Sequence, residues 1–255
     1  MALIGTQLPT QHPLRTLVAF SGAAAALLLS FDAAAQDTSA ASRRAAAARE
    51  RGLPYTVFEA GVGFVALPAA EVCPRSIDEC STGEISLGLG IRNLYEFGPF
   101  GIGASVIWAT TLRNDDARGD PDLEREHGRR YFLVEALFRY AYVQTHTAEA
   151  WVGTGIGVVS IRDSWTVKAD RDPVNEVKFV GPDSLIISTE GLSASIMAGG
   201  AWIFAENFSL GGLFRYGNWI MPFEPDTTPL GDVASLSGRI DVFELTTTLA
   251  YRLAL

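Results

Sequence analysis

Few residues of this sequence have the type and spacing that chemistry needs. Of three histidines in 255 residues, only His127 and His146 lie beyond the N-terminal apolar segment. His127 sits among Asp122, Glu124 and Glu126, and His146 between Thr145 and Thr147. A histidine base activates a hydroxyl only within hydrogen-bond reach. Ser164 and Ser184 are the candidate nucleophiles for His127, but no spacing brings either one to it. Both histidines therefore read as solvated loop residues, and no catalytic residue is assigned. Residues 114–129 hold Asp115, Asp116, Asp120, Asp122, Glu124 and Glu126 with Arg118, Arg125 and Arg129 interspersed. They lack EF-hand spacing and read as a solvated loop. Gly153-Thr154-Gly155-Ile156-Gly157 lacks the third interval of a dinucleotide fingerprint. No metal and no cofactor are expected. Cys73 and Cys80, separated by six residues in a polar stretch, read as one local disulfide closing a loop, since the neighbouring Glu71, Asp78 and Glu79 make a poor metal set without histidine.

The positioning elements come from the rest of the chain. It is 48% hydrophobic and 19% charged, with a net charge of −9 and a mean hydropathy of +0.17. Binding a phosphate backbone needs an extended basic surface and this chain is net acidic, so no nucleic-acid partner is expected. Residues 1–35 read as a cleaved signal peptide: Arg15, the apolar run Leu17 to Phe31, then an A-x-A site ending at Ala35. Export is the context in which a disulfide persists. Residues 36–53, rich in Ala and Arg with no apolar face, read as a flexible N-terminal tether.

From Tyr55 onward, two-residue alternation recurs, the mark of strands with one apolar face. It predicts strands at 55–67, 84–97, 100–113, 130–143, 150–162, 185–204, 207–218 and 240–255. Phe58, Ala60, Val62 and Phe64 oppose Glu59, Gly61, Gly63 and Val65 in the first, and Ile85, Leu87, Leu89 and Ile91 oppose Ser86, Gly88, Gly90 and Arg92 in the second. The connections alternate between long polar segments (68–83, 114–129, 163–184, 219–239) and short turns (98–99, about 144–149, 205–206). Outside residues 1–35 no apolar run approaches the roughly 20 residues of a membrane helix. The pattern is that of an all-β chain: an eight-stranded antiparallel up-and-down transmembrane β-barrel over 54–255, with short periplasmic turns and long extracellular loops.

Two residue sets follow. Tyr55, Phe97, Phe100, Tyr140, Tyr142, Trp151, Trp202, Phe204, Phe208 and Tyr251 cluster at the strand ends beside the termini and short turns, as a periplasmic aromatic girdle would. Trp108, Phe132, Tyr216 and Phe243 are sparser candidates for an outer one. Glu59, Arg92, Glu135, Arg139, Arg215, Glu244 and Arg252 fall on the polar faces, where charges of both signs inside a narrow barrel pair with one another. Alternate glycines on those faces make room for the larger side chains. Glu190 carries the parity of the apolar face and requires a bulge or a place at the outer rim.

Trp202–Leu210 (WIFAENFSL) and Glu244–Leu255 (ELTTTLAYRLAL) carry a resemblance to the small eight-stranded outer-membrane β-barrel domains of the OmpA/OmpX type. It covers about Pro54 to Leu255. Family members commonly end in an aromatic residue with alternate apolar residues upstream. This chain keeps Leu249, Tyr251 and Leu253 in that alternation but ends in Leu255, which bears on assembly efficiency. The resemblance implies an outer-membrane location in a Gram-negative bacterium. Implied partners are outer-membrane lipid, lipopolysaccharide and the β-barrel assembly machinery, which reads the last strand; no extracellular partner is indicated. The expected function is a non-enzymatic envelope-structural or loop-displaying barrel with a plugged lumen. A narrow conduit for small or apolar solutes is the alternative, and a barrel enzyme acting on lipid or peptide is a second.

Overall fold

A computed structural model of the chain describes residues 54–71, 82–112, 125–167, 184–205, 207–229, 231–234 and 236–254. The expected signal peptide, the tether, Cys73, Cys80 and most of the acidic loop lie outside the described residues. Eight strands follow in order: β1 Tyr55–Glu71, β2 Thr82–Phe97, β3 Phe100–Thr111, β4 Arg125–Gln144, β5 Ala148–Val167, β6 Ser184–Ala205, β7 Phe208–Ile220 and β8 Arg239–Ala254. Each pairs antiparallel with its sequence neighbours, and β1 pairs with β8, closing the barrel. Closure leaves no unpaired strand edge, a requirement for any sheet placed in lipid.

The period of two fixes the register. Along β4 the inward row is His127, Arg129, Tyr131, Leu133, Glu135, Leu137, Arg139 and Ala141, all buried, while Phe132, Ala136, Phe138 and Tyr140 face outward and are exposed. A one-residue slip would exchange the two sets, so the apolar row pins the pairing. The β2–β3 turn is two residues long, and Gly98 takes the positive φ (58°) that a tight hairpin needs. Above the outward apolar band the wall is polar, with Arg130, Arg162, Ser188, Asn218 and Asp241 on successive strands.

Strands β1, β4 and β5 run four or five residues further at their outer ends than the alternation predicts. Their extensions carry Glu126, His127, Arg129, Asp163 and Ser164, placed in loops by the sequence reading. The segment after β7 also departs from expectation. Met221, Ala234 and Leu236 are buried, and Met221 and Leu236 join the apolar cluster beneath the outer mouth, which includes Leu67, Leu133, Ile161 and Trp219. Backbone bonds from Met221 N to Gly238 O, from Gly238 N to Pro222 O and from Thr228 N to Asp232 O hold the fold of this segment, and Asp232 N donates to Thr228 Oγ1.

Candidate functional site

Among the described residues, the barrel interior is where the fold gathers titratable groups, and it does so in three layers. In the middle layer Glu135, from β4, accepts from Arg215 Nη2 of β7 at 2.5 Å, Ser193 Oγ at 2.8 Å and Ser195 Oγ at 3.2 Å. Arg215 Nη1 also donates to Glu244 at 3.2 Å, and Arg92 Nη2 donates to the other oxygen of Glu244 at 2.9 Å. Thr246 Oγ1 adds a bond to Glu244 at 2.6 Å. Two guanidiniums and two carboxylates thus form one chain across four strands, at 0–3% side-chain exposure. Ions so fully removed from water are held only by mutual pairing.

Towards the short turns, Arg139 Nη1 donates to Glu59 at 2.8 Å and its Nη2 to Glu149. Its Nε lies 3.5 Å from Glu96. Arg252 donates to the second oxygen of Glu149 at 2.9 Å, and Tyr55 to Glu96 at 2.6 Å. The Arg139 guanidinium lies 4.3 Å over the Trp151 ring, a cation–π contact. Two residues of the expected girdle are therefore elsewhere. Tyr55 and Trp151 face inward and are buried, because each shares the parity of its strand's polar face, Tyr55 with Glu59 and Trp151 with Gly153. The outward aromatics at this end are Phe97, Phe100, Tyr140, Tyr142, Trp202, Phe204, Phe208 and Tyr251. Several touch in sequence around the wall, with ring centroids 6.1 Å apart for Phe97–Phe100, 5.5 Å for Phe100–Tyr140 and 5.1 Å for Phe208–Tyr251.

Near the outer mouth Arg129 donates to Glu84 at 2.5 Å and to Asp163 at 2.7 Å. Tyr131 OH donates to Glu84, and His127 Nε2 donates to Asp163 at 2.7 Å while its ring stacks on Trp165 at 5.0 Å. This part of β4 and β5 stands above the apolar band. Burial alone would raise the Asp163 carboxyl, but the His127 hydrogen bond and the Arg129 guanidinium outweigh it and hold it below the ordinary carboxylate range. His127 is thus a buried partner of Asp163. Ser164 faces the opposite side of β5 and donates to Gly128 O at 3.0 Å, so it is no nucleophile for this histidine. No group of three or more His, Cys, Asp or Glu side chains that could hold a metal occurs among the described residues.

Sequence reasoning placed Glu59, Arg92, Glu135, Arg139, Arg215, Glu244 and Arg252 together, and all seven are buried inside the barrel. It missed Glu84, Glu96, Glu149, His127, Arg129 and Asp163, which share that interior. Glu190 faces outward, opposite Ser160 of β5. Glycine spacing serves the network: a Cβ at Gly155 would lie 2.7 Å from Ser195 Oγ and 3.0 Å from Glu135 Oε2.

No protein-family model matches the sequence, and no curated protein does. Among solved structures, a major outer membrane protein from Thermus thermophilus is similar with a TM-score of 0.50 at 15% identity, covering 78% of this chain and 99% of that one. Neisserial surface protein A gives 0.49 at 10% identity (79% and 97% covered), and OprG from Pseudomonas aeruginosa 0.41 at 11% (80% and 99% covered). The first of these carries the comparison, and at such identity it speaks for the fold alone. With eight antiparallel strands closed on themselves and an apolar outer wall, the chain has the fold of the small eight-stranded outer-membrane β-barrels.

Proposed function

We propose that this barrel is a non-enzymatic integral protein of a Gram-negative outer membrane, serving envelope structure or presenting its loops outward, with a lumen closed by its own side chains. The observation that carries this reading is the middle layer: Arg92, Glu244, Arg215 and Glu135 cross the interior as one ion-paired chain. Apolar layers back it on both sides, with Leu133 and Val159 above and Leu137 and Leu213 below. Eight strands leave an interior that side chains fill, and the inward fold of the segment at 221–238 supports closure at the outer mouth. The reading includes cleavage of residues 1–35, assembly through β8 and contact with lipopolysaccharide.

Proteoliposomes test it. Vesicles carrying the refolded protein, loaded with an impermeant sugar and challenged with small sugars or amino acids, should swell no faster than empty vesicles. Swelling that scales with protein content would replace the plug with the conduit.

A further inference from the structure

The outer wall carries a second arrangement that the interior does not use. Arg130 of β4 and Arg162 of β5 stand directly opposite one another in register, both outward. Like charges directly opposite on a sheet face repel. Among the described residues every buried arginine of the barrel has a carboxylate partner, and the outward Arg239 donates to Asn218. Arg130 and Arg162 have neither an ion pair nor a hydrogen bond among the described residues.

The register extends the row. Thr110 of β3 lies opposite Arg130, and Ser188 of β6 opposite Arg162. Four adjacent strands therefore present hydroxyl, guanidinium, guanidinium and hydroxyl, with no carboxylate among them. The next row down is Trp108, Phe132, Ser160 and Glu190, and the one below it Val106, Val134, Val158 and Leu192. The basic row thus marks the border at which the wall turns apolar. A groove of about 620 Å³ opens beneath it, lined by Phe132, Val158, Leu192 and Ile220, with Glu190 at its rim. Glu190 is diagonal to Arg162 and leaves this border patch a net single positive charge.

We propose that Arg130 and Arg162 bind the phosphate of a phosphorylated, acylated glycolipid in the outward leaflet, one acyl chain lying in the groove below. Guanidinium groups match phosphate with paired, charge-assisted hydrogen bonds. A lipid places its phosphate where its chains begin, which is the order of the two features on this wall. A soluble anion would use the arginines and leave the groove empty. The inference rests on the outer-membrane reading above, which includes contact with lipopolysaccharide, and adds the site that holds the lipid.

The test uses the full chain in phosphatidylcholine nanodiscs, with and without a few mole per cent of diphosphoryl lipid A. Bound lipid A is counted by native mass spectrometry, and the melting temperature is read in parallel. The R130Q/R162Q variant should retain about tenfold less lipid A than wild type, while R239Q retains as much. The thermal effect should change sign. Without lipid A the double variant melts higher than wild type, because a repulsion is gone; with lipid A it melts lower. Equal retention by wild type and double variant would overturn the proposal, as would full competition by inorganic phosphate or by the deacylated phosphosugar. A wild-type chain that neither inserts nor shifts on a heated detergent gel would overturn the membrane reading itself, a result distinct from loss of this site in an intact barrel.

Discussion

Replacing Glu135 with alanine removes the centre of the middle layer. Arg215 then keeps one carboxylate, Glu244 at 3.2 Å, which it shares with Arg92 at 2.9 Å, and a long bond to Ser193 Oγ at 3.4 Å. Two guanidiniums divide one carboxylate, and a neutral layer acquires one excess positive charge. Breaking a buried pair in this way costs on the order of 3–5 kcal/mol. Ser193 and Ser195 lose a common acceptor, adding about 1 kcal/mol, typical of a buried hydrogen bond. The residual Arg215–Glu244 bond offsets part of this, as does any water that reaches Arg215 Nε, which has no acceptor among the described residues. The expected net loss is about 3–4 kcal/mol. Urea unfolding from lipid vesicles, followed by tryptophan fluorescence and extrapolated to zero denaturant, reads it directly. Glu135→Leu combined with Arg215→Met removes both charges and leaves Arg92–Glu244 balanced, so it should lie within about 1 kcal/mol of wild type. Against the matching single variants, Glu135→Leu and Arg215→Met, the coupling should be at least about 2–3 kcal/mol, as for groups in one network. A single-variant loss under about 0.5 kcal/mol, or a double variant equal to the sum of its parts, would mean that the two groups are separately hydrated, and the reasoning would fail.

Other expectations are quicker to check. A refolded sample should migrate differently on a detergent gel before and after boiling, since a closed ladder has no free edge from which to unravel; identical mobility would count against the barrel. Cys73 and Cys80 should be linked to each other, and two alkylatable thiols without reductant would contradict that. A Cβ at Gly157 would lie 1.9 Å from Val134 O and 2.7 Å from Glu135 Cα, so Gly157→Ala should cost at least about 1–3 kcal/mol in urea unfolding. At Gly128 only Ser164 Oγ comes near, at 3.3 Å, and Gly128→Ala should be nearly neutral. Because the Asp163 carboxyl is held low, its stabilisation is present at neutral pH and lost as pH falls through that depressed value. The stability difference between wild type and Asp163→Asn should therefore shrink on acidification below about pH 4.

How much was legible follows from where hydrophobicity alternates. Along the lower and middle wall the outward positions are mostly apolar, so Phe58 to Phe64 or Phe132 to Tyr140 announce both the strand and its faces. The same parity was enough to place Glu59, Arg92 and Arg139 inside, and would have added Glu84 and Glu96, which share the parity of Arg92. Tyr55 and Trp151 were misplaced because position at a strand end was weighed without parity. The outer extensions of β4 and β5 were not legible. Above the band both faces are polar, as Arg129 beside Arg130 and Asp163 beside Arg162 show, so no period of two survives to extend the strand. For the same reason His127 looked like a loop residue. The inward fold of Met221 and Leu236 depends on contacts distant in sequence with residues such as Leu67 and Ile161, which local patterning does not encode.

Single-channel recording in a planar bilayer is the most direct test of the central claim, that this barrel is closed by its own ion-paired interior. The wild-type protein, inserted and shown to be folded, should give no steady conductance above the bare membrane in concentrated KCl. Glu135→Ala, with the middle layer broken, should give small, flickering events. A steady ohmic conductance from the wild type, unchanged by Glu135→Ala, would contradict the account and make the lumen a conduit.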